Sequence, residues 1–157
     1  MTTLHWCKKQ KQGIEIISPN DNLAEEYYQN AEETLRVINL IKNSGSNMWL
    51  ATQKYYAEYL AAYAILMKIG VKSEIHTCTI VLIEFLEKQN IIPFSFSKQL
   101  TDDKQLRIDN QYYLKNRPVP IDGKSLAHLL LTVRNVLDTL SQEKISEIRE
   151  IIKNGCN

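Results

Sequence analysis

The chain has 157 residues, 44% of them hydrophobic, and its 19 Lys and Arg residues balance 18 Asp and Glu residues to a formal charge of +1. This length predicts one domain over residues 1–157, with a core at about 22–152 and an N-terminal extension at 1–20. The balanced charge excludes a strong overall attraction to nucleic acid or anionic lipid, so any RNA contact must come from a local patch.

The most apolar segment, residues 57–69, is interrupted by Glu58 and Lys68. A membrane-spanning helix needs about 20 consecutive apolar residues, so we expect no membrane segment. The first residues also lack the apolar stretch of a secretion signal. We therefore predict a cytoplasmic protein.

The three cysteines, Cys7, Cys78 and Cys156, are odd in number, far apart and without the paired spacing of a metal site. This pattern favours a reducing compartment, in which disulfides are rare.

The first predicted helix begins near Asn22, which can cap its free amides while Glu25 reaches back in a capping box. Pro19 keeps the preceding chain non-helical. The helix ends at the Ser-Gly-Ser sequence of residues 44–46. Its buried stripe consists of Leu23, Tyr27, Ala31, Thr34, Ile38 and Ile41.

The second predicted helix covers about Asn47 to Ile69 and ends at Gly70, a residue suited to the left-handed turn that closes a helix. Ser73 is the predicted N-cap of a third helix, which ends near Asn90 because Pro93 follows. The second and third helices therefore form a short-looped hairpin.

We expect residues 94–100 to be irregular and a fourth helix to run from Thr101 to about Asn116. Residues 122–154 show helical periodicity again, with a break at Ser141 left open, and only residues 13–17 show weak strand-like alternation. The predicted fold is all-α, an up-and-down bundle of about five helices, four long and one shorter.

The fourth helix carries the candidate ligand-binding residues. Arg107 shares a face with Asn110 and Gln111, while Tyr112 and Tyr113 point to adjoining sectors. A guanidinium matches phosphate bidentately, and amide and phenol groups can complete the contacts. The alternative is a solvated helix face with Tyr113 half in the core.

His76 is predicted in the first turn of the third helix, where the helix dipole favours the neutral imidazole. It can serve as a base or a hydrogen-bond donor, or it can be structural. His5 and His128 are weaker candidates. His76 and Cys78 project in different directions, so we expect no metal, and the chain lacks the common cofactor motifs.

Tyr55, Tyr59 and Tyr63 recur at every fourth position of the second helix. They can be core residues or a dimer face, because amphipathic rings suit interfaces. The basic segment 6–11 can touch a phosphate backbone or be a solvated tail.

Four segments together resemble the HEPN domain superfamily, in the small prokaryotic branch related to nucleotidyltransferase-associated proteins. The resemblance covers roughly residues 22–151. It is carried by Tyr55-Tyr56-Ala57, by residues 62–66, by Gly70-Val71-Lys72-Ser73-Glu74-Ile75-His76 and by Arg107-Ile108-Asp109-Asn110-Gln111-Tyr112-Tyr113.

The resemblance implies a bundle of about five helices, usually a homodimer, often paired with a minimal nucleotidyltransferase in systems similar to toxin and antitoxin pairs. Many members are metal-independent endoribonucleases that use an Arg followed, after four to six residues, by a His. Arg107 matches the Arg, but Tyr112, Tyr113 and Leu114 occupy the positions of the His. A tyrosine is a poor proton carrier at neutral pH.

The preferred hypothesis is a non-catalytic or weakly active homodimeric HEPN module that binds a nucleotide, RNA or a partner nucleotidyltransferase without a cofactor. The alternative is an endoribonuclease that uses Arg107 with Tyr113, another tyrosine or His76. A third possibility is a structural dimer without a ligand.

Overall fold

The computed structural model describes residues 1–154, and within them the chain forms seven helices and one small antiparallel sheet. The elements in chain order are α1 (Leu4–Lys9), β1 (Glu15–Ile16), α2 (Asp21–Ile41), α3 (Asn47–Ile69), β2 (Val71–Lys72), α4 (His76–Lys88), α5 (Phe96–Gln111), α6 (Gly123–Thr139) and α7 (Gln142–Asn154). The prediction of an all-α helical bundle is confirmed.

Helix α3 is the centre of the bundle. It packs against α2 along its length, α5 packs on another face, and α6 contacts both α2 and α3. Most α3 side chains are buried, including the small residues Ala57, Ala61 and Ala64, which let neighbouring helices approach closely. A helix that is apolar on several faces belongs in the interior, and this position brings α5 against the tyrosines of α3.

The ends of α3 agree with their prediction, whereas two predicted caps were wrong. Gly70 adopts the left-handed conformation, with φ of +82°. Helix α2 is capped by Asn20, not Asn22, because Asn20 Oδ1 accepts a hydrogen bond from Leu23 N at 2.9 Å. Ile75, not Ser73, occupies the N-cap position of α4 and provides no side-chain hydrogen bond.

The later helices also differ from their predicted bounds. Helix α5 begins at Phe96, inside the segment predicted to be irregular, and ends at Gln111. The C-terminal stretch is two helices, because the chain leaves the helical path at Leu140 and Ser141. Ser141 Oγ then accepts from Lys144 N in the first turn of α7, at 3.2 Å.

The N-terminal segment is folded onto the bundle rather than a solvated tail. Helix α1 packs on α4, and a disulfide joins Cys7 to Cys78. The cysteine count did not predict this bond, because spacing along the chain does not reveal that α1 lies beside α4. Cys156 lies outside the described residues. Strands β1 and β2 pair Glu15 with Lys72, and this agrees with the weak alternation in the sequence.

No helix in the described part of the chain combines the length and the apolar character that crossing a membrane requires.

Candidate functional site

The turn after α3 delivers His76 to the surface of α3 and α5. After Gly70 the chain forms β2, and Ser73 then contacts Tyr63 of α3 through two hydrogen bonds. The Ser73 carbonyl accepts from the Tyr63 hydroxyl, and the Ser73 amide donates to the Tyr63 hydroxyl oxygen at 3.2 Å. His76 follows as the first residue of α4.

Arg107 lies on the α5 face that packs against α3. Its side chain is only 8% exposed, and its guanidinium carbon lies 5.0 Å from the ring centre of Tyr55, 5.5 Å from that of Tyr56 and 5.7 Å from that of Tyr112. Nη1 donates to the Tyr56 hydroxyl at 3.2 Å. Aromatic rings attract a cation without neutralising it.

The Arg107 guanidinium has no carboxylate partner among residues 1–154, and its Nε–H is buried without an acceptor. A buried donor without an acceptor is costly, and such groups in native proteins call for an explanation. A bound anion is one such explanation.

Tyr55 links Arg107 to His76. The Tyr55 ring lies under the guanidinium, and its hydroxyl lies 2.9 Å from His76 Nδ1. Burial raises the pKa of the Tyr55 hydroxyl well above its ordinary value, so this group keeps its proton. When it donates to Nδ1, the neutral imidazole carries its proton on Nε2.

The His76 ring is held as a neutral group. It stacks on the Tyr59 ring, with centres 4.4 Å apart and planes 13° apart. Burial lowers the pKa of His76, and the charges of Arg107 and Lys104 lower it further. An imidazole with a depressed pKa is neutral at pH 7 and can donate or accept a proton.

Lys104 brings a second cation to this site. Its Nζ donates to Thr77 Oγ1 at 2.9 Å, in the first turn of α4. Burial and the neighbouring Arg107 charge lower the pKa of Lys104. Like Arg107, it has no carboxylate partner in the part of the chain described. We call Tyr55, Tyr56, His76, Lys104 and Arg107 the Arg107 cluster.

Asn110 has a structural task in the loop that follows α5. Its Nδ2 donates to the Arg117 carbonyl at 3.0 Å, and its Oδ1 accepts from Arg117 N at 2.5 Å. Next to it, the nearly buried Asp109 pairs with Lys115 at 2.9 Å and with Arg117 at 2.5 Å. These contacts lower the pKa of Asp109 to about 2. They fix the loop beside the cluster.

The other predicted binding residues, at the end of α5 and just after it, border the cluster. Gln111 Oε1 is buried without a donor. Tyr112 and Tyr113 are 63% and 68% exposed, and Tyr112 also faces the Arg107 guanidinium. The structure therefore places Arg107, Tyr112 and His76 in one region. Tyr113 lies beside Lys115 instead, and the Lys115 Nζ is 5.6 Å from the centre of the Tyr113 ring.

The tyrosines of α3 are mainly core residues of a single protomer. Tyr55 and Tyr63 are 0% and 7% exposed, and Tyr59 is partly buried, with its hydroxyl 3.3 Å from Thr79 Oγ1. Their rings pack against each other and against His76, so within one protomer Tyr55 and Tyr63 are core residues, while a dimer contact at Tyr59 stays a prediction.

Lys104 and Tyr56 are two members of the site that are not among the residues predicted from the sequence. Lys104 precedes Arg107 by one helical turn, so the shared face was a usable signal. For Tyr56 the sequence offered no such signal, because a tyrosine next to a core tyrosine predicts only packing. In residues 1–154, no group of three or more His, Cys, Asp or Glu side chains could hold a metal ion.

The model of the HEPN domain matches residues 24–153 of the chain. This match covers most of the sequence, and the chain belongs to the HEPN family, a group with nucleotide- and RNA-related roles and a tendency to dimerise. No curated protein and no solved structure matches it.

Proposed function

We propose that this HEPN protein binds RNA or a nucleotide through a phosphate group at the Arg107 cluster. The observation that carries the proposal is the nearly buried Arg107 guanidinium, which has an unsatisfied Nε–H and no carboxylate partner within residues 1–154. Buried charges in proteins are usually paired or hydrogen-bonded. A phosphate oxygen supplies both the missing charge and the missing acceptor, and a guanidinium fork suits it.

The surface beside Arg107 suits the bases that accompany such a phosphate. Tyr112 and Tyr113 are exposed at the end of α5, and Lys115 and Arg117 follow in the loop fixed by Asp109. Exposed aromatic rings next to cations are the recurrent elements of single-strand binding, where each stacked base contributes about 1–3 kcal/mol. A short single-stranded RNA therefore fits this surface better than a rigid duplex.

The proposal extends to assembly. HEPN domains often form homodimers, and we place the chain in a homodimer that acts with a minimal nucleotidyltransferase. Leu40 and Trp49, on α2 and α3, are 84% and 53% exposed and are available for such contacts. Light scattering after size-exclusion chromatography tests the homodimer, and co-expression with a candidate nucleotidyltransferase tests the partner.

Binding of a fluorescent single-stranded RNA of mixed sequence tests the main proposal. Arg107→Met keeps the aliphatic stem and removes the charge, so we expect a loss of affinity of at least about tenfold, the effect of losing one charge-assisted hydrogen bond. Arg36→Met is the matched control, because Arg36 is exposed on α2, a helix that contributes no residue to the cluster. Equal losses in the two variants would show nonspecific charge attraction and contradict the site.

A metal-independent endoribonuclease is the second candidate function, and one observation favours it. The fold brings His76 and Arg107 into contact with the same tyrosine, so a histidine accompanies the arginine although Tyr112, Tyr113 and Leu114 occupy the positions of the family histidine. In such a reaction the His76 tautomer that donates Nδ1–H to the Tyr55 hydroxyl oxygen leaves Nε2 free to take the proton of the RNA 2′-hydroxyl. The 2′-oxygen attacks the adjacent phosphorus and displaces the 5′-oxygen of the next nucleotide, which takes up a proton, so the products are a 2′,3′-cyclic phosphate and a 5′-hydroxyl end. Arg107 stabilises the phosphate charge.

Cleavage of end-labelled RNA in the presence of a chelator tests this second function. His76→Ala and Arg107→Met should each abolish cleavage, while Tyr113→Phe should not, because the Tyr113 hydroxyl is exposed and lies outside the cluster. RNA binding without cleavage leaves the binding function alone. An intact dimer that neither binds nor cleaves RNA or nucleotides indicates a structural dimer.

A further inference from the structure

The first turn of α4 forms part of the wall of the Arg107 cluster. Ile75 provides no side-chain cap, and the amides of His76, Thr77 and Cys78 have no backbone acceptor within the described chain. Helix α4 has 13 residues, so its dipole adds partial positive charge at this end. Free amides at a helix start are a common contact for phosphate.

Two cations meet this helix start from α5. Lys104 contacts the second residue of α4 through Thr77 Oγ1, at 2.9 Å. Arg107 lies over Tyr55, whose hydroxyl contacts the first residue, His76, at 2.9 Å. The buried Nε–H of Arg107 has no acceptor, and this independent observation calls for an anion beside the same tyrosine.

From this arrangement we infer that the cluster is a pocket for a terminal phosphate, the dianionic phosphoryl group of a 5′-phosphorylated RNA or a nucleoside 5′-monophosphate. The inference rests on the proposed function and names its ligand chemistry. Lys104, Arg107 and the α4 amides together supply more positive charge than the single charge of an internal phosphodiester requires.

Burial favours a terminal group as well. Arg107 is 8% exposed, and Lys104 and His76 are partly buried, so these donors lie below the protein surface. A phosphate with one substituent can approach such donors end-on, whereas an internal phosphate must bring a nucleoside on each side. The exposed Tyr112 ring lies next to the Arg107 guanidinium, where the first base of the bound molecule can stack.

Isothermal titration with two uridine pentanucleotides tests the inference, one with a 5′-phosphate and one with a 5′-hydroxyl. We expect the phosphorylated form to bind about tenfold more tightly, because it adds charge-assisted hydrogen bonds. Lys104→Met should reduce this ratio at least threefold. Lys98→Met is the control, because Lys98 lies on the same helix but is exposed and paired with Asp102.

The outcomes separate the two proposals. Equal affinity for the two pentanucleotides, with binding still dependent on Arg107, overturns the terminal-phosphate pocket and retains the proposed function. Binding of neither pentanucleotide overturns both. Uridine 5′-monophosphate identifies the source: affinity equal to that of the phosphorylated pentanucleotide supports a free nucleotide, and much weaker binding supports an RNA end.

Discussion

Replacement of Gly70 by Ala tests the turn that carries the chain from α3 to His76. Gly70 has φ of +82°, and the left-handed conformation costs an L-residue about 1–2 kcal/mol. A Cβ at this position would lie 2.6 Å from the Ile17 carbonyl oxygen and 2.7 Å from Pro19 N, and it would clash with Arg149 Nη1.

The clash adds to the conformational cost because Arg149 holds this turn together. Its Nη1 donates to the carbonyls of Ile17 at 2.5 Å, Ile69 at 3.1 Å and Gly70 at 2.7 Å. Hydrogen bonds from a charged donor contribute about 1.5–3 kcal/mol, so Gly70→Ala should lower the free energy of unfolding by about 3–5 kcal/mol.

Gly45 provides the matched control. It has φ of +75°, but no atom lies within 4 Å of a Cβ built there. Gly45→Ala should therefore lower the free energy of unfolding only by the cost of the left-handed conformation, about 1–2 kcal/mol. Urea unfolding followed by circular dichroism measures both variants. Equal losses in the two would refute the packing argument for Gly70.

Three further variants test other contacts. Burial raises the pKa of the Glu58 carboxyl, so its contribution to stability is complete below the ordinary pKa of a glutamate and is lost as the pH rises through the folded value. Glu58→Gln should therefore flatten the fall in unfolding free energy as the pH rises above the ordinary pKa of a glutamate, as measured by urea titrations at several pH values, and an unchanged slope would exclude this role. Cys78→Ser opens a 71-residue disulfide loop and should cost about 4 kcal/mol, and a denaturation midpoint equal to that of the oxidised wild type would contradict the bond. Tyr55→Phe removes the hydrogen bond to His76 and should cost about 1 kcal/mol in the same assay, whereas Tyr113→Phe, with its exposed hydroxyl, should cost nothing measurable.

The parts of the fold that depend on local signals could be predicted from the sequence. Helix α3 has its predicted bounds, Asn47–Ile69, because a Ser-Gly-Ser turn precedes it and Gly70 closes it. The start of α5 was missed for a tertiary reason. Ser95 provides no cap, and the Glu87 carboxylate of α4 instead accepts from Ser97 N at 2.5 Å and Ser97 Oγ at 2.9 Å. A cap supplied by another helix has no pattern in the local sequence.

For the candidate site, the sequence predicts individual residues but not the contacts between them. Arg107 and His76 were recognised from their residue types and from the HEPN resemblance, but their proximity depends on how α4 and α5 pack around α3. Asn110 is predicted as a ligand-binding residue because it shares a helix face with Arg107, and in the structure its amide holds the loop at Arg117. Helical periodicity predicts the helix face on which a residue lies, but not the residue that it contacts.

The most direct test of the phosphate site is an NMR pH titration of the His76 ring, measured without RNA and again with a short single-stranded RNA bound. The account predicts that bound RNA raises the His76 pKa, because a phosphate beside Arg107 favours the imidazolium form and offsets the cations that now lower it. Arg107→Met should weaken this response. If RNA binds but the His76 pKa is the same with and without it, the result would contradict a phosphate site at the Arg107 cluster.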